Sequence, residues 1–167
     1  PTFFRQIAIS PQPTFIYQAR HERINQFGGT LAKDFGPVVL KGEAVYTRGR
    51  QFYLAQPINV DGVVPQNALD WALGLDLNVQ PETRFNVQYI QRDFFNYDPN
   101  LISDKHESWY SLYVNHKLSD KLEAQVTWIS SFNQTDYMFR PRVMWNFEKN
   151  WLFAAGVDVF KGPWYGF

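Results

Sequence analysis

The chain contains no cysteine, only two methionines and only three histidines among its 167 residues. Without cysteine there is no disulfide framework, no thiolate metal site and no cysteine nucleophile. His21, His106 and His116 are too few and too scattered to show metal-ligand spacing, so no metal and no cofactor is expected. Charge of one sign is also lacking: 16 basic side chains face 16 acidic ones. A nucleic-acid binder normally carries a basic field, and none is present here. No stretch approaches the roughly 18 uncharged apolar residues that a membrane-spanning helix needs. There is no glycine-rich phosphate loop, and nothing pairs Ser108, Ser111, Ser130 or Ser131 with a histidine and an orienting polar group. The reading is of a protein that is not an enzyme.

What the chain does have is aromatic side chains. They make up 18% of it (Phe 15, Tyr 9, Trp 6), although the mean hydropathy is a polar −0.37. That combination suits a wall that is apolar on one face only. Period-two alternation supports this. In Leu69–Val79 the odd positions are Leu69, Trp71, Leu73, Leu75, Leu77 and Val79, whereas the even ones are Asp70, Ala72, Gly74, Asp76 and Asn78. A strand sends these sets to opposite faces, and a helix would mix them.

The same alternation recurs in Val38–Tyr46, Arg84–Gln91, Leu122–Phe132 and Tyr137–Phe147, and more weakly in Trp109–Leu118, Trp151–Phe160 and Arg23–Asp34. The expected fold is all-β: eight strands of roughly 9–12 residues, near the length that crosses a bilayer at a tilt. Polar, Gly or Pro turns stand at residues 33–37, 80–82, 119–121 and 148–150. Longer links stand at residues 48–68, 95–106 and 133–136. Short turns alternating with long ones is the wiring of an antiparallel up-and-down transmembrane β-barrel. Trp71, Trp109, Trp128, Tyr137, Trp145 and Trp151 would form aromatic belts near the strand ends, with Leu73, Leu75, Leu77, Val87, Val126 and Val143 facing lipid between them. Pro141 interrupts an otherwise good strand, at a bulge or a shortened pairing.

The run Phe27-Gly28-Gly29-Thr30-Leu31-Ala32-Lys33-Asp34-Phe35-Gly36-Pro37-Val38-Val39-Leu40-Lys41-Gly42-Glu43-Ala44-Val45-Tyr46 resembles proteobacterial outer-membrane β-barrels, notably a large family known only as a domain of unknown function. A Phe-Gly turn followed by a Leu-Lys-Gly-Glu strand carries the likeness over about 20 residues, and the later hairpins agree in style. The resemblance implies the bacterial outer membrane as location and a barrel as architecture. It implies no reaction.

With short turns on the periplasmic side, Arg23–Asp34 starts outside and Trp151–Phe160 ends outside. Both ends on the outer side imply four hairpins of a larger barrel, with residues 1–20 as an external loop tail and 161–167 opening another external loop. The alternative is a complete eight-stranded barrel whose interior is filled by side chains. On either reading Lys41, Glu43, Asp70, Asp76, Arg84, Arg92, Glu123, Arg140 and Arg142 face the lumen. They would either line an aqueous path or form a salt-bridged plug. Three function classes follow: a channel or transport component, a plugged structural or interaction barrel, or a soluble ligand-binding β-sheet. Expected partners are outer-membrane lipid and other envelope transport components, and no nucleic acid.

Overall fold

The computed structural model describes residues 2–8, 14–55 and 61–163. Its regular elements are all β-strands: β1 (Thr2–Ala8), β2 (Thr14–Arg20), β3 (Asn25–Asp34), β4 (Val38–Tyr53), β5 (Val63–Gln80), β6 (Thr83–Phe95), β7 (His106–Ser119), β8 (Leu122–Ser131), β9 (Tyr137–Glu148), β10 (Trp151–Gly156) and β11 (Val159–Lys161). β3 to β10 are hydrogen-bonded in chain order as an antiparallel up-and-down sheet, and β11 pairs with β9 beyond β10. β3 and β10 end that order and do not pair with each other, so the sheet is open rather than a closed barrel. The four tight turns lie where the sequence places them. At the first, Gly36 N donates to Asp34 Oδ1 (2.7 Å) and Phe35 N to Val38 O (2.9 Å), a side-chain-closed turn.

Two segments depart from the sequence reading. The expected loop tail of residues 1–20 contains an antiparallel strand pair, β1 with β2, registered from Thr2 opposite Arg20 to Ala8 opposite Thr14. Residues 9–13 lie outside the described part, as do 56–60 and 164–167, so the expected external segment 161–167 is described only to Pro163. The expected long link of residues 48–68 is mostly strand. β4 has 16 residues and β5 has 18, so each spans more than about 50 Å. Arg48-Gly49-Arg50 and Pro65-Gln66-Asn67 carry turn-like residues and hid this continuation.

The chain divides into two units, to each of which β3, β4, β5, β6 and β7 contribute portions. The first comprises Pro1–Gly28, Ala44–Asp70 and Arg92–His106. Its core is Phe52, Ala68, Phe94 and Leu101, with Leu54, Val64 and Tyr97 packed against it. Phe52 and Phe94 meet edge to face at 4.8 Å, a favoured ring geometry. Thr47 and Phe52, an odd and an even position, are both buried, so the alternation of β4 changes phase between them. Gly49, at φ +78°, lies in that interval and donates its N–H to Asn67 Oδ1 at 3.1 Å. Glycine, with no Cβ, takes that left-handed backbone without strain.

The second unit comprises Gly29–Glu43, Trp71–Gln91 and Glu107–Phe167. Here β8 pairs with β9 without a register shift from Leu122–Trp145 to Ser130–Tyr137, passing through Pro141 opposite Val126. The interruption caused by Pro141 falls on its other side. There β10 ends at Gly156, opposite Arg142, and β11 resumes in the same register at Val159, opposite Phe139. Proline has no N–H to give, so the facing pair keeps only the bond from Val157 N to Pro141 O (3.3 Å). Of the two expected outcomes at Pro141, a bulge or a shortened pairing, the register shows the second, on the β10 side alone. Pro141 opens a gap in the neighbouring ladder.

Beside that gap, a Cβ on Gly156 would lie 2.7 Å from Pro141 O. Gly156→Ala should force the strands apart and cost about 1–3 kcal/mol, as overpacking does. Amide exchange should then accelerate at Ala154 and Ala155. Unchanged exchange there would show that β10 adjusts freely.

Candidate solute-facing surface

Strand register separates the two faces of the second unit. Tyr110, Leu112, Val114 and His116 stand opposite Ser130, Trp128, Val126 and Ala124, which in turn oppose Tyr137, Phe139, Pro141 and Val143. That face is mostly apolar. The other face carries Asn115, Lys117, Glu123, Gln125, Arg140 and Arg142 in the alternate positions. The two-sidedness follows directly from a period of two along each strand.

On the polar face, charged residues are tied to strand neighbours. Asp76 of β5 receives Lys41 of β4 as an ion pair and the side-chain amide of Asn86 of β6 as a hydrogen-bond donor. Glu123 Oε2 accepts from Asn115 Nδ2 at 3.0 Å. Arg140 grips Asp158 through two bonds, Nε to Oδ1 at 2.6 Å and Nη2 to Oδ2 at 2.9 Å. Asp158 lies in the gap opposite Pro141, which frees that short segment to offer its carboxylate. Arg84 borders an open hollow of about 380 Å³ with Asp76, Asn78, Asn86 and Tyr113. Glu43 and Lys41 flank a second, of about 260 Å³, floored by Ala72 and Gly74. Arg142 stands opposite Gln125. In the first unit Arg92 Nε bonds Asp70 Oδ1 at 2.6 Å. The partly exposed Lys41–Asp76 and Arg92–Asp70 pairs contribute little stability, about 0–1 kcal/mol each, so the arrangement of these charges shapes the surface more than it holds the fold.

On the apolar face of the second unit, rings form a ribbon across successive strands. Trp71 lies 5.4 Å from Tyr89, Tyr89 6.0 Å from Phe132, and Phe132 5.0 Å from Tyr110. Trp128 Nε1 donates to the Tyr110 hydroxyl at 3.3 Å, and its ring stacks on Tyr137 at 4.7 Å. Towards the other ends of β9 and β10, Trp145, Phe147 and Trp151 form a second group, with centroids 5.2 and 6.3 Å apart. Leu73, Leu75, Val87 and Val143 are exposed, while Leu77 and Val126 are half-buried.

Trp109 departs from the belt expectation. It stands opposite Ser131, on the face opposite to Trp128, because Tyr110 takes the apolar side of β7. Tyr89 is a ribbon member that the sequence reading missed, although its odd position beside Phe85 and Val87 already pointed there. Asn86, Asn115 and Asp158 were missed as partners of the charged residues. Neutral amides and a residue in a weak alternating segment give no such signal on their own.

Among the described residues no group of three or more His, Asp or Glu side chains could hold a metal ion, and no helix is long and apolar enough to cross a membrane. In comparisons with known proteins, no family model, no curated protein and no solved structure matches this chain.

Proposed function

We propose that this chain forms part of the wall of a bacterial outer-membrane β-barrel that serves as a channel or transport component. The observation that carries the reading is the pairing of two unlike faces on one sheet: an aromatic ribbon and exposed aliphatic side chains on one, ion pairs and amides on the other. Water disfavours so broad an apolar surface. A bilayer rewards it, with rings at headgroup level and aliphatic side chains in the hydrocarbon. The reading also requires the edges of β3 and β10 to be paired in the membrane, since hydrocarbon satisfies no open edge. Lipid is then the first partner, with other envelope transport components beyond it, and neither cofactor nor nucleic acid is called for.

A second reading, a plugged and non-conducting barrel, draws on the ion pairs that neutralise Asp70, Asp76 and Arg140. Planar-bilayer conductance of the full-length protein separates the two, because a plugged barrel gives no stable current steps. The membrane assignment is tested by electrophoresis of native protein from a membrane fraction, heated and unheated in parallel. A band whose mobility shifts on heating is expected. Protein that stays monodisperse in water without detergent, and shows no shift, would instead be a soluble ligand-binding sheet.

A further inference from the structure

The connection between β6 and β7 does not project away from its strands. It doubles back within the first unit. β5 stands between β4 and β6 in the sheet, yet the connection bonds to the end of β4: Ala55 N donates to Asn100 O at 2.7 Å, Ile102 N to Tyr53 O at 3.1 Å, and Leu54 pairs with Leu101. Its side chains show which face it crosses. Leu101 is 5% exposed and packs in the cluster of Phe52, Ala68 and Phe94. Ala68 is two residues from Asp70 on β5, and Phe94 is two from Arg92 on β6, so both share the face of the Asp70–Arg92 ion pair.

The loop is also held in shape from within. Asp98 Oδ1 accepts from Asn100 N and Nδ2, both at 2.9 Å, and Leu101 N donates to Asp98 O at 3.1 Å. The Tyr97 hydroxyl donates to Ser103 O at 2.9 Å, and Phe94 N donates to Lys105 O at 3.1 Å. A buried apolar anchor and this many bonds describe a fixed element rather than a waving loop.

We propose that residues 96–105 form an inward-folded constriction, seated on the charged face near the mouth and narrowing the solute path. The proposal rests on the channel reading above. A loop lying across the lumen-facing side reduces the open cross-section there and limits conductance.

The test compares unitary conductance of the full-length protein with that of its Leu101→Asp variant in planar bilayers. Asp in that apolar cluster should release the loop and shift unitary conductance upward, with the heat-shifted mobility retained. If Leu101→Asp loses that heat shift, replacement of residues 97–104 by a Gly-Ser turn supplies the same reading without a buried charge. Current from the variants alone would mean that the loop closes the mouth completely, which supports the assignment. Unchanged conductance in a heat-shifting variant would overturn the constriction and leave the channel standing. Absence of current from every form would remove the channel reading and the constriction with it.

Discussion

Leu75→Arg is expected to block membrane insertion while Asp76→Asn, one residue away, leaves it nearly intact. Leu75 is exposed on the apolar face of β5, and a lipid-facing Arg near the bilayer midplane costs about 2–4 kcal/mol. That is roughly a 30- to 900-fold change in the insertion equilibrium. Asp76 points the other way, to Lys41 and Asn86, and its carboxylate is partly open to solvent. Asn keeps the shape and one acceptor oxygen, so the loss is that of an exposed ion pair, about 0–1 kcal/mol. Flotation with lipid vesicles after refolding measures both. Equal behaviour of the two variants would sink the two-face assignment of β5, whatever the fate of the rest.

Phe94→Ala should be the most damaging change within the first unit. Its ring is 3% exposed and contacts Phe52 at 4.8 Å and Tyr97 at 6.2 Å. Truncating a buried Phe removes its transfer free energy and leaves a cavity, about 3–5 kcal/mol together. The loop of residues 96–105 rests on that ring, so protease cleavage there should accelerate with the loss of stability. Phe95→Ala is the control. Phe95 is 45% exposed and its ring meets Tyr46 instead. It should cost far less and leave the loop protected. Cleavage enhanced equally in both would show that the loop is not anchored through Phe94.

The uneven legibility of the chain has a physical cause. Residues 69–79 read as a strand at once, because each face is chemically uniform along its length. The extension of β5 back to Val63 did not, because Pro65 and Asn67 are turn formers, yet both lie in the strand and Asn67 Oδ1 accepts from Gly49 N. Local preference lost there to tertiary pairing. Trp109 shows the same limit on a smaller scale. Trp109 and Tyr110 are adjacent rings, only one of which can take the apolar face, and the ladder to β8 decides for Tyr110.

Pro141 separates the two kinds of information most clearly. Its ring announces one missing donor, but not on which side the donor is missed. Only the register places the loss between β9 and the β10–β11 gap, where Asp158 is then free to meet Arg140. The charged residues were legible as a set, since alternation assigns them to one face, but their partners were not. Asp76 with Lys41, Asp70 with Arg92 and Glu123 with Asn115 join residues on different strands.

By itself, then, the sequence determined the all-β class, the four tight turns, and which face of the strongest strands is apolar. All three depend on interactions between near neighbours in the chain. The buried cluster of Phe52, Ala68, Phe94 and Leu101, the doubled-back loop above it and the cross-strand ion pairs were decided only by tertiary structure. Each requires segments distant in sequence to meet, and a period of two says which face a residue takes but not what will cover it.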